Sequence, residues 1–348
     1  MEYPEDNQNF IFPPHQDKSF TSNLPPEDIR AGFVLSILIS VIGSIINLIT
    51  LISLCRSKKL MGQSTTIFVV SLTISDLFYC IICLPLTADT FYECYLCRIG
   101  IVCRLYAFIF YWNITVMMMN QAALAFNRYI LVCHPPESVI KFNRLTNILI
   151  LGSVWLLPFL ALLVPLTGLW GNMGFDDGTG TCTMIDSKEG KGSPRQTFLI
   201  IGLVLPGFVI VFCYSRIYLI VKRSKKQLKS HRNTDFDLHQ TSFSSSLECQ
   251  NSQIKEQKNS NGRSKKESRI SLTLFMIFLS FVICTAPPAL VLAIDPSAKL
   301  YPHWHIPLYA FGWCFGLINP CIYIILNASY RKAFIELFKD LKACVSEN

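Results

Sequence analysis

Charge is scarce in this sequence of 348 residues: Asp, Glu, Lys and Arg together make up 16% of it, against about a quarter in soluble globular chains. That shortage excludes the two solvated domains that the length alone would suggest. Also missing is any internal repeat relating one half to the other, of the kind that transporters built from paired halves carry. No set of His, Cys and carboxylate groups converges inside an apolar run, where Asp76 is the only deep carboxylate. An integral-membrane enzyme is disfavoured on that ground. The first residues show no charged-then-apolar leader, so no cleaved signal peptide is expected.

What the chain has instead is apolar length. Hydrophobic residues reach 51%, the mean hydropathy is positive, and seven apolar runs of about 20 residues alternate with polar stretches. An unpaired backbone amide costs several kcal/mol in hydrocarbon, so each run is expected to be an α-helix, giving an all-α membrane protein, a seven-transmembrane helix bundle. The helices are placed at about 31–54, 65–91, 97–133, 146–169, 196–221, 269–294 and 304–326. Basic residues gather on one side: Arg56, Lys58 and Lys59, then Lys141 and Arg144, a dense group from Lys222 to Arg269, and Arg331, Lys332, Lys339 and Lys342. That side is cytoplasmic by the positive-inside rule, which places the acidic, Pro-rich segment 1–30 outside as a flexible tail. The net charge of +8 sits in juxtamembrane loops, where anionic lipid accounts for it, and no nucleic-acid partner is expected.

Polar residues inside such helices point to function or to packing between helices. Arg128 closes helix three in Asn127-Arg128-Tyr129, and as a cation it must lie near the interface or face the protein interior, either as a snorkelling anchor or as a functional group. Asp76 reads as a cation or proton site or as a buried structural acid, with Asn113 a second oxygen donor near it. Asn47 is expected to face other helices. Pro85 should kink helix two, and the adjacent Pro287 and Pro288 should make a hinge in helix six. Segment 222–268 is polar and Ser/Gln/Asn/Lys-rich, so it reads as a disordered cytoplasmic loop with phosphorylatable serines. Segment 327–348 holds an amphipathic helix for the inner membrane surface, with Cys344 beyond it as a palmitoylation site or an idle thiol. Four of the fourteen cysteines, Cys94, Cys97, Cys103 and Cys182, face outward and allow three pairings, among which the sequence does not choose.

Taken in order, Asn47, Leu72 with Asp76, Cys103, Asn127-Arg128-Tyr129, Trp155, Pro206 with Tyr214, Phe281 with Pro287, and Asn319-Pro320 with Tyr323 resemble the signatures of rhodopsin-like, class A G-protein-coupled receptors. Within that family, Asn127 together with the Ile130-Leu131-Val132-Cys133-His134-Pro135 continuation looks like the melatonin-receptor, moody and trapped-in-endoderm group. The resemblance implies an agonist bound outside that tilts helix six outward and opens a cleft for a heterotrimeric G protein, with Arg128, Tyr214 and Tyr323 lining it. Arrestin and receptor kinases are implied as further partners, and the plasma membrane as the location. Glu267 would pair with Arg128 at rest. Asp76, Asn113 and Asn319 resemble the family's sodium pocket, in which Met117 stands where a hydroxyl is usual; apart from that sodium ion no cofactor is implied. A Cys103–Cys182 bridge would tie the loop after helix four over the mouth.

Three departures from the family pattern matter. Asn127 cannot form the usual acid–arginine pair, Thr285 stands where a tryptophan is often found, and Ser71 replaces an asparagine. The outer pocket implied by the resemblance draws on Phe110, Tyr111, Ile114, Phe198, Leu292, Tyr309 and Trp313, with Arg104 near the mouth to meet an anionic headgroup. It is aromatic and apolar, and it has no acid at Phe110 to pair with an amine, so an apolar or lipid-like small molecule suits it. His303 and His305 near the mouth are read either as a metal-binding or pH-sensing pair or, more commonly for loop histidines, as merely solvated. A multi-spanning transporter is the alternative reading.

Overall fold

The computed structural model describes residues 24–92, 99–134, 144–176, 181–185, 193–239, 247–295 and 299–346. Six helices are long and apolar enough to cross a membrane: Pro26–Arg56, Ser64–Phe91, Gly100–Cys133, Leu145–Leu166, Pro194–Arg223 and Arg269–Val291. Two further helices, Pro302–Trp313 and Phe315–Leu326, are bent by 41° at Cys314 and together form a seventh span. We number these spans helix one to helix seven. Cys94 and Cys97 lie outside the described residues.

The pattern of burial is inverted relative to a soluble bundle. In helix one, Ser36, Ser40, Asn47, Thr50 and Ser53 are buried, whereas Val34, Leu38, Val41, Ile45, Leu48 and Ile52 point outward. Lipid tails are as apolar as these outward chains, so no hydrophobic force draws them inward, and small or polar residues take the contacts between helices. Asn47 shows why the polar ones need the interior: its amide donates to the Gly43 carbonyl at 2.9 Å and across to the Gly316 carbonyl of helix seven at 2.7 Å.

Two of the prolines follow a widened turn. Helix two widens into a π-turn at Tyr79–Cys83 and helix five at Ile200–Val204. The residue four positions before Pro85 is Ile81, and the one before Pro206 is Gly202. Each therefore lies in a widened turn, where its carbonyl escapes collision with the proline ring. Helix six instead runs without interruption through Pro287 and Pro288. Helix seven packs closely there: a Cβ on Gly312 would meet Pro288 Cγ at 3.0 Å, so only glycine lets the two helices approach this far.

The cytoplasmic segment 222–268 departs from the loop expected. Helix continues from Leu205 to His239 and resumes at Leu247, leaving 240–246 outside the described residues. Low hydrophobicity removes a reason to pack but not a reason to be helical. Lys, Gln, Glu and Arg are good helix formers, and a helix already nucleated in the membrane adds residues without paying again for its first turn. The final helix, Ala328–Ser346, buries Tyr330, Ala333, Phe334 and Leu337 and joins helix one through Arg56 and Asp340 at 2.9 Å.

At the outer end, β1 (Asn172–Asp176) and β2 (Thr181–Ile185) form an antiparallel hairpin with Met173 opposite Met184. Gly171, at φ +72°, makes the turn into it, a backbone state that side-chain-bearing residues rarely adopt. Both methionines are buried with Ala107, Phe108 and Leu162, so the hairpin is anchored between helices three and four. Sulfur completes the tie, since Cys103 and Cys182 form a disulfide.

Candidate functional site

The residues singled out in the sequence fall into three levels along the bundle axis. At the inner end, Arg128 is buried one residue from the equally buried Asn127. Asn127 donates to Ser64 Oγ at 3.1 Å and accepts from Thr65 Oγ1 at 3.3 Å, while Asn147 of helix four donates to the same Ser64 oxygen at 2.8 Å. The amide that replaces an acid here thus fastens helix three to helices two and four. Arg128 lies close enough to Tyr214 and Tyr330 for its charge to act on both phenols. Tyr323 stacks on Tyr330 with centroids 5.3 Å apart. Tyr129 is turned elsewhere, its ring 6.1 Å from Phe212 of helix five. The Glu267 side chain lies outside the described residues, as do those of Leu292 and Cys344.

At mid-depth, Asp76 is 1% exposed and accepts a hydrogen bond from Asn319 Nδ2 at 2.8 Å. Asn113 donates to the Ser75 carbonyl at 3.1 Å, one residue from Asp76. Two acceptors in this layer, Asp76 Oδ1 and Asn113 Oδ1, find no hydrogen-bond donor among the described residues. A buried polar atom left so costs about 1–3 kcal/mol, more for a charged group, and two such oxygens suit a hard cation. Met117 beside them is sealed and offers only a thioether. Phe281 packs edge-on against Phe315, which in turn meets Tyr79, joining helices six, seven and two. Thr285 donates to the Phe281 carbonyl at 2.8 Å and so occupies its hydroxyl inside helix six. Ser71 proves to be a partner and not a loss: it accepts from the Trp155 indole at 2.9 Å.

At the outer end, Phe110, Tyr111 and Ile114 of helix three are half-buried and the neighbouring Asn113 is sealed. Tyr111 Oη lies 2.9 Å from Thr183 Oγ1 of β2 and ties the hairpin to helix three. Phe198 is half-buried against the Met173–Met184 cluster, and Trp313 is buried against Phe91 with centroids 5.8 Å apart. Arg104 is exposed beside Ile101 and Leu105, two helical turns before Tyr111 on the same side of helix three.

Of the histidines only His305 departs from the solvated reading: His303 is exposed, with Nδ1 2.9 Å from Asp28 of helix one, whereas His305 is buried against Asp295 and Tyr309. One sequence signal pointed there: Asp295 stands between the end of an apolar run and Pro296, the position of a carboxylate that receives the amides of a turn.

Seven apolar spans carry a disulfide-anchored hairpin at the outer end and a buried cation at the inner end. Residues 46–323 match the family model of the 7 transmembrane receptor (rhodopsin family), and the chain belongs to that family: it is a G-protein-coupled receptor and not an enzyme. Protein trapped in endoderm-1 of Drosophila melanogaster is 35% identical over 86% of this chain and 75% of its own length. The G-protein coupled receptor moody of the same species is 28% identical over 93% of this chain, which spans only 54% of that receptor. Melatonin receptor type 1C of Xenopus laevis is 26% identical, covering 88% of this chain and 66% of its own length. In fold, the chain is similar to squid rhodopsin with a TM-score of 0.72 at 20% identity, over 92% of this chain and 88% of that one.

Proposed function

We propose that this multi-pass plasma-membrane receptor takes an apolar or lipid-like small molecule at its outer end and activates a heterotrimeric G protein by outward movement of helix six. The observation that carries the reading is the pairing of a half-buried aromatic face under a disulfide-anchored hairpin with a buried arginine at the opposite end. A ligand that binds the two arrangements of helix six unequally shifts their populations by that difference in affinity. The inner end then opens or closes Arg128, Tyr214 and Tyr323 to the G protein. The distribution of bases puts the N-terminus outside. Serines such as Ser244, Ser245 and Ser246 would serve receptor kinases and hence arrestin, and Arg331, Lys332 and Lys339 would meet anionic lipid on the inner leaflet.

Purified receptor in lipid should accelerate GDP release from at least one Gα class, and a library of neutral lipids and indoles should contain a compound that raises the rate. Transport of solute without any exchange activity would instead support the alternative of a transporter.

Sodium belongs to the same proposal. Asp76 Oδ1 and Asn113 Oδ1 would hold the ion, which would supply the positive charge that a buried carboxylate needs. Asn319 turns its amide nitrogen to Asp76 and would hold the carboxylate and not the ion. Replacing choline chloride by sodium chloride should raise the melting temperature of the receptor and leave Asp76→Asn unchanged; an equal response of both proteins would remove sodium from the account.

A further inference from the structure

The outer end contains a buried relay that the reading above does not use. Asp295, directly after helix six, is 3% exposed. Its Oδ1 accepts from the Lys299 amide at 2.9 Å, and its Oδ2 accepts from the amides of Leu300 and Tyr301 at 2.9 and 2.8 Å. Burial pushes this carboxyl up, but the three amides and His305 together outweigh it and hold the group below the usual carboxylate range. It is therefore ionised at neutral pH and can only accept. His305, 2% exposed, places Nε2 3.4 Å from Asp295 Oδ2 and Nδ1 3.1 Å from Tyr309 Oη.

We propose that Asp295 and His305 set Tyr309 as a hydrogen-bond acceptor at the outer opening, so that the receptor selects a largely apolar ligand carrying an N–H or O–H donor. The proposal rests on the outer opening being the ligand site. Its logic is a chain of single choices. A carboxylate facing Nε2 requires the ring hydrogen there. A neutral ring with that hydrogen leaves Nδ1 bare. Tyr309 must then donate its hydroxyl hydrogen to Nδ1, and only lone pairs of its oxygen remain for another molecule. Tyr309 is half-buried, on the side of helix seven that also carries His305 toward Asp295. Among the described residues, Tyr106 pairs with Thr87 at 2.9 Å, Tyr111 pairs with Thr183, and Tyr301 is exposed. A half-buried acceptor discriminates against ligands that lack the matching donor, because it is then covered without a partner.

Nitrogen-15 spectra of histidine-labelled full-length receptor in lipid nanodiscs test the first half, with His305 assigned by its loss in His305→Gln. At neutral pH, His305 should show a protonated Nε2 and a bare Nδ1. Asp295→Asn should mix the two tautomers, and Tyr309→Phe should move the Nδ1 resonance alone. For the second half the probes are 4-phenylphenol and its methyl ether, followed by saturation transfer on the same preparation. The phenol should bind roughly two- to tenfold more tightly than the ether, and Tyr309→Phe should erase the difference. A ring protonated at both nitrogens, a hydrogen on Nδ1, or equal or absent binding of the two probes overturns the proposal. Loss of GDP release with tautomer and selectivity intact would count against G-protein coupling and leave the relay standing.

Discussion

The two ends of the bundle treat buried charge in opposite ways. At the outer end, Asp295 accepts from three amides and faces an imidazole. At the inner end, Arg128 stands beside an amide in place of an acid, and that amide is committed to Ser64 and Thr65. A saturated charge belongs to one arrangement of its surroundings. An arginine whose sequence neighbour is an amide lacks the adjacent carboxylate that would favour one arrangement, which suits the inner gate proposed above. On that proposal the outer end holds its shape and the inner end changes it.

The largest way to break this comparison is to remove the inner cation. Arg128→Leu, at matched surface expression, should lower receptor-stimulated GDP release at least about tenfold, the scale of one lost charge-assisted contact. Undiminished coupling to every heterotrimer would end the gate account. Next in size, Glu267→Ala should raise agonist-free exchange severalfold if the acid at the foot of helix six restrains Arg128 at rest; an unchanged basal rate would assign the restraint to other groups.

A finer probe is Asn127→Asp. The hydrogen-bond chemistry tolerates it: Ser64 already accepts from Asn147, so its own hydroxyl hydrogen is free to reach a carboxylate, and Thr65 donates to an oxygen in either case. What changes is an anion beside Arg128. Basal exchange should fall roughly fivefold or more, as for a charge-assisted contact between buried groups, with surface expression unchanged. A rise in basal exchange would mean that the amide restrains helix three more than an acid would.

Much of this architecture was legible in the sequence because hydrocarbon leaves few choices. Apolar length located the spans, and the interior positions of Asn47 and Asp76 followed from the cost of an amide or carboxylate in lipid, while that of Asn319 followed from the family resemblance. The π-turns at Tyr79–Cys83 and Ile200–Val204 were not legible, since a proline announces a disturbance in the hydrogen-bond ladder without saying whether the helix bends or widens. Composition misled over 222–268, where it reports the absence of packing and not the absence of helix. The Asp295–His305 contact was hidden for a simpler reason: ten residues separate the partners, and the turn that joins them is visible only in three dimensions.

The smallest expected effect sharpens the outer half of the comparison. Asp295→Asn replaces two accepting oxygens by one, so at least one of the amides of Lys299, Leu300 and Tyr301 loses its acceptor, and the melting temperature should fall by a few degrees. The pH dependence has a definite sign. A carboxyl held below its usual range in the folded protein contributes fully above the unfolded value near 3.9, and the contribution fades only as pH drops through the lowered folded value. The gap in melting temperature between wild type and variant should therefore be as wide at pH 5 as at pH 7. Because the two sites share no partner, the same substitution should leave the rise in basal exchange caused by Glu267→Ala untouched. Coupling between the two would show that the outer turn takes part in the switch, and the division into a fixed outer end and a mobile inner one would fail.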